Sequence, residues 1–169
     1  MPRPDLSRVP SFFHNYISQV QEDALMQALK NNTEVMQSFL INIPPAKYEY
    51  RYAEGKWTIK EVLQHLIDAE RVFCYRALRF SRKDTTPLPG FDENLFARTA
   101  KANGRKWNDL VEEFFAVRKA TELLFASFDE EQLEAGGISG NHPNYTLAMG
   151  FIAAGHCNHH KKVLEVRYL

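Results

Sequence analysis

The sequence predicts an all-α fold, a four-helix bundle in one domain over residues 1–169. Three observations carry that expectation. Four long segments place apolar residues at helical spacing, and short Pro- and Gly-rich breaks separate them. No stretch alternates apolar and polar residues cleanly enough to argue a sheet. The length, 169 residues, suffices to bury a core without disulfides or a structural metal.

The first long segment carries Leu25, Leu29, Met36, Phe39, Leu40 and Ile43 on one face and ends at Pro44-Pro45. A separate helical piece over residues 11–18 precedes it. The second segment opens on Thr58-Ile59-Lys60-Glu61, a T-x-x-E capping box in which each side chain satisfies an orphan backbone N–H. It continues through Ile59, Val62, Leu63, Leu66, Val72, Phe73, Ala77 and Phe80 and stops before Thr85-Thr86-Pro87-Leu88-Pro89-Gly90. The connection from residue 85 to about residue 103 is long, with a helical turn after Asp92, and is a candidate lid over one end of the bundle. The third segment runs from about Gly104 to Phe128 through Trp107, Leu110, Val111, Phe114, Phe115, Val117 and Leu124. A short turn over residues 129–133 follows and breaks at Gly136-Gly137. The fourth segment opens near Asn144, a plausible N-cap after Pro143, and runs to the C-terminus.

Composition excludes several function classes. With 21 Lys+Arg against 21 Asp+Glu the net charge is zero, which argues against a nucleic-acid partner and against an anionic membrane surface. The residues MPRPDLSRVP hold no apolar run, and LAMGFIAAG is far shorter than the roughly 20 residues a membrane span needs. The two cysteines, Cys74 and Cys157, lie inside predicted helices without CxxC spacing, so a reducing, cytoplasmic setting is expected.

Six histidines are present, and the informative cluster is Gly155-His156-Cys157-Asn158-His159-His160 on the fourth segment. At about 100° per residue, His156 and His160 lie one turn apart on the same face, which lets two imidazoles converge on one ion. His159 is rotated to one side and is the poorer partner. Met149, Ile152, Ala153 and Val163 share the stripe of the pair, so it is expected to point into the bundle. His65 lies in the file Val62, His65, Ala69 and Val72 on the second segment, again an inward face. Three imidazoles from two stripes would leave coordination positions open to water or substrate, as a catalytic site requires. A zincin H-E-x-x-H needs Glu where this chain has Cys157, so that peptidase chemistry is disfavoured. Imidazole ligands suit zinc, nickel, copper and iron alike.

Other residues are read more plainly. Cys157 is turned about 100° from His156, toward a neighbouring helix or solvent, and Cys74 lies opposite His65 on its helix; both are read as packing. Asp68 and Glu70 are assigned to helix-surface pairing rather than to orienting a ligand imidazole. Arg71, Arg76, Arg79 and Arg82 spread around the second segment and make no single stripe, although Arg76 by its angle is within reach of a substrate carboxylate. Trp57 and Trp107 are expected as core anchors, and Asp92 as a helix N-cap.

The run from Tyr52 to Glu70, YAEGKWTIKEVLQHLIDAE, resembles the second-helix region of the DinB-like superfamily, which takes in YfiT-like metal hydrolases and thiol-dependent S-transferases. The closing Gly155-His156-Cys157-Asn158-His159-His160, the loop Leu88-Pro89-Gly90-Phe91-Asp92 and the terminal Arg167-Tyr168-Leu169 extend the resemblance to nearly the whole chain. It implies an up-down-down-up bundle with His65, His156 and His160 as ligands and His159 as a non-ligand neighbour. It also implies nickel or zinc as the divalent transition metal, a small-molecule substrate with a low-molecular-weight thiol among the candidates, and a homodimer. The expected function is therefore that of a metal-dependent thiol S-transferase or hydrolase. The alternative is a non-catalytic, stress-related binding module with a structural or vestigial metal.

Overall fold

Local signals in the chain account for most of its helix boundaries. The computed structural model describes residues 3–169. Helix α1 (His14–Ser18) continues a 3-10 turn at Ser11–Phe13, and α2 (Leu25–Ile41) ends before Pro44-Pro45. The next helix, α3 (Ile59–Ser81), starts at the predicted capping box: the Thr58 hydroxyl accepts from the Glu61 N–H, and the Glu61 carboxylate accepts from the Thr58 N–H at 2.7 Å. A cap of this kind contributes about 0.5–2 kcal/mol. Asp92 caps the short α4 (Glu93–Thr99) by accepting from the Asn94 and Leu95 N–H groups. After it come α5 (Trp107–Ala126) and α6 (Glu130–Glu134), the latter with its own Asp129–Gln132 capping box.

An antiparallel hairpin of β1 (Gly136–Ser139) and β2 (His142–Tyr145) then leads directly into α7 (Thr146–Arg167). This small sheet departs from the all-helical expectation, and it displaces the start of the last helix. Asn144 lies in β2 rather than capping α7, and its Oδ1 accepts from the Tyr145 N–H. The hairpin was hidden because its strands span four residues each and do not alternate. Its legible signal is Gly140-Asn141, whose φ values of 56° and 67° are those of a two-residue turn with both residues left-handed. Leu88 adds to the free edge of β1, donating its N–H to the Ile138 carbonyl and accepting from Gly140.

Pairings between the four long helices fix the topology. Along α2, Leu25 and Leu29 share an apolar cluster with Phe125, whereas Met36 and Leu40 share the other with Leu110 and Phe114, so α2 and α5 run antiparallel. Glu70 and Cys74 of α3 meet Arg118 and Thr121 of α5, while Ile59 and Leu63 pack in the cluster of Trp107 and Leu110, so α3 and α5 are parallel. The pairings of α7 set it antiparallel to α3 and parallel to α2. The result is an up-down-down-up four-helix bundle, in which the parallel α3 and α5 require the long crossover through α4.

Two apolar clusters fill the bundle, with a polar layer between them. Arg118 is fully buried there, donating from Nε and Nη2 to the two Glu70 oxygens at 2.8 Å each and from Nη1 to Asn32 at 2.5 Å. Asn32 in turn donates to Asn158 at 2.6 Å, and Asn158 donates to the Gln19 carbonyl. Glu70 is thus a buried partner of Arg118, not a surface pair. Asp68 remains nearer the surface and accepts from Gln64.

Candidate metal centre

Two antiparallel helices bring the site together. Residue 65 of α3 faces residues 156 and 160 of α7, and one ligating nitrogen from each imidazole lies within 4.8 Å of the other two. His65 Nε2 is 2.9 Å from His156 Nε2, and the ring centroids of His65 and His160 are 4.9 Å apart. His159 stands beside the group, half-buried, with Nδ1 3.4 Å from Gln19 Nε2. The helical angles therefore selected the residues that converge.

The direction of the site differs from the expectation. His65, His156 and His160 open into a cavity of about 490 Å³ walled by α3, α7, the N-terminal segment, the crossover and the hairpin tip, with no residue of α2 or α5. The site is on the outer groove between α3 and α7, not in the bundle interior. The reason is that every residue from Thr146 to Cys157 is buried, with the N-terminal segment through Val9, Ile17 and Val20 packed in the same cluster as α7. On a helix buried all round, an apolar stripe reports burial but not which side faces the bundle axis.

Gly155 makes that packing possible. A Cβ at this position would sit 1.9 Å from the Tyr16 carbonyl oxygen, so α1 approaches α7 at a distance only glycine allows. The Tyr16 ring is thereby set edge-on to both His156 and His159, with centroids 5.1 and 5.3 Å away. Phe73 meets His156 from the α3 side at 5.6 Å, and Trp57 lies tilted against His65 at 4.8 Å. Trp57 is thus a wall of the cavity, whereas Trp107 is a core anchor stacked on Tyr48.

Burial holds the imidazoles neutral. It pushes the His65 pKa down to about 4 and, with the neighbouring His65 and His159, that of His160 to about 3. His156 is driven well below the ordinary value by burial first and by the three other histidines next. A neutral imidazole carries the lone pair that a metal ion requires, and an N-only donor set suits borderline divalent ions. The cysteines are not poised for chemistry. Burial pushes Cys157 up to about 11 despite the nearby Arg118, and burial with Glu70 pushes Cys74 up to about 12. Both read as packing, as expected.

Two cavity residues of other chemistry accompany the histidines. Arg76 of α3 and Glu93 of α4 both line the wall. Tyr16 has its phenol pushed up by burial and then by the Glu93 charge. Glu93 was not singled out from sequence because the crossover gave no fixed orientation to its residues.

A family model described as the DinB superfamily matches residues 28–164. Among solved structures, the chain is similar to YfiT from Bacillus subtilis, described as a probable metal-dependent hydrolase with an unusual four-helix bundle topology. The match has 16% identity and a TM-score of 0.62, covering 94% of this chain and 86% of that one, and it supports the fold. No curated protein matches the chain.

Proposed function

Because the chain belongs to the DinB superfamily, we propose that it is a metal-dependent enzyme acting on a small molecule, as a thiol S-transferase or a hydrolase. His65, His156 and His160 would hold one divalent transition metal, nickel or zinc. The observation that carries this reading is the convergence of three neutral imidazoles, with no fourth protein ligand among the described residues, on the wall of an open cavity. When bound, the ion supplies a Lewis acid that makes a coordinated thiol or water nucleophilic near neutral pH.

The surrounding residues have definite tasks. Trp57, Phe73 and Tyr16 fix the ring orientations and keep bulk water from the imidazoles. The Tyr16 phenol keeps its proton at neutral pH and is a donor at the cavity wall. With Cys157 buried, Cys74 half-buried and both held as thiols, sulfur chemistry here would use a free low-molecular-weight thiol.

Elemental analysis of protein purified without a nickel column tests the site. About one equivalent of metal is expected, falling at least tenfold in His156→Ala. Metal far below one equivalent, unchanged by that substitution, overturns the reading. Bacillithiol offered with an electrophile then separates the two chemistries: metal-dependent conjugation supports transfer, and metal-dependent hydrolysis of esters or amides without thiol supports hydrolysis.

A further inference from the structure

We propose that Arg76 is the anchor for a carboxylate on the substrate, so that this cavity takes an elongated anionic small molecule. The proposal rests on the cavity's being the substrate site and deepens that reading.

Arg76 is 6% exposed, yet among the described residues it makes no ion pair. The other arginines on α3 and at its C-terminal cap differ. Arg71 is paired with Glu113 and Arg79 with Asp84, while Arg82 is exposed. The fully buried Arg118 has both Glu70 oxygens. A guanidinium withdrawn from water without a counter-charge is costly, and such groups are ordinarily paired. Arg76 has one polar contact, from Nη2 to the Pro89 carbonyl at 3.1 Å, and lies 5.9 Å from the centre of the Phe91 ring. Its Nε and Nη1 have no protein acceptor among the described residues, and Nη2 uses only one of its two N–H groups on Pro89, so one edge of the guanidinium, the second Nη2 N–H with Nε or with Nη1, is free. Two N–H groups along such an edge match the two oxygens of a carboxylate.

Position completes the argument. Arg76 lies eleven residues beyond His65 on the same helix, three turns on, so the two share a face about 16 Å apart along the axis. Both line the one cavity, with Ala69 and Phe73 between them. A molecule with its reacting group at the histidines and its carboxylate at Arg76 would lie along α3 over an apolar floor. Glu93, the acidic residue of the wall, forms no ion pair with Arg76 and exerts its charge on Tyr16 instead.

The test uses the zinc-loaded protein and two probes of equal chain length, suberic acid monohydroxamate and octanohydroxamate. Their hydroxamate ends are metal-binding, and only the first carries a distal carboxylate. Titration calorimetry should show the wild type preferring the carboxylate probe by about tenfold or more, the range of a charge-assisted hydrogen-bond pair. Arg76→Met and Arg76→Gln should abolish the preference while binding octanohydroxamate unchanged, and Arg76→Lys should retain part of it. Equal affinity of the wild type for both probes, or a preference that survives Arg76→Met, overturns the proposal while leaving the metal reading intact. If neither zinc nor nickel is held, the metal reading fails on its own, and octanoate against octanamide is titrated into the metal-free protein instead. Preference for octanoate lost in Arg76→Met supports the anchor; no preference overturns it.

Discussion

His65, His156 and His160 are neutral because they are buried, and that has a measurable cost in acid. In the metal-free protein the folded imidazoles of His65 and His160 resist protonation down to about 4 and about 3, whereas in the unfolded chain histidine protonates near its ordinary 6.5. Above about pH 6.5 both states are neutral and these groups contribute no pH dependence. Below it the unfolded state binds more protons, so stability falls as pH drops toward the folded values, by at most about 1.4 kcal/mol per unit for each imidazole. Urea unfolding between pH 7 and pH 4.5 should show this decline, and the double variant His65→Gln/His160→Gln should flatten it. A slope identical in both proteins contradicts the account. His156 and His160 were legible because chelating spacing is a property of one helix. Arg118 was not, since a charged residue amid a helical pattern reads as solvated until its partner on another helix is known.

At the scale of elements, the Arg118–Glu70 pair ties α5 to α3 and, through Asn32 and Asn158, to α2 and α7. Removing one charge from so enclosed a pair leaves the other without compensation. Arg118→Met should therefore destabilise the protein by about 3–5 kcal/mol, seen as a lower melting temperature. Arg118→Met with Glu70→Leu should recover much of that loss, because two apolar side chains leave no orphaned charge. A single variant costing less than about 1 kcal/mol would show the layer to be solvated. Helix existence and most boundaries were readable from periodicity, the Thr58 box and the Asp92 cap. The hairpin was not, because its strands are too short to show a period. The facing of the histidine stripe was not either, because it depends on α1 closing against Gly155 from a distant part of the chain.

For the whole molecule, neither apolar cluster includes a histidine of the site, so the fold should survive metal removal. A bound metal then adds stability only by mass action, about 2.7 kcal/mol at a free concentration 100 times Kd. For a chain of this size that raises the melting temperature by roughly 5–11 °C. Circular dichroism should show unchanged helicity after chelation together with the lower melting temperature, and His156→Ala should show no metal-dependent shift. Loss of helicity on chelation would instead make the ion structural. Up-down-down-up order follows from the parallel α3 and α5, whose crossover supplies one wall of the cavity, the N-terminal segment and hairpin tip supplying others. Grip and choice are thereby divided. The histidines stand on two long helices whose other sides are locked into the core, while Phe12 and Gly140 sit outside both apolar clusters, on connecting segments. Rewriting those connections would change which molecules are admitted and leave the ion's seat as it was. A scaffold so divided can acquire new substrates one loop at a time.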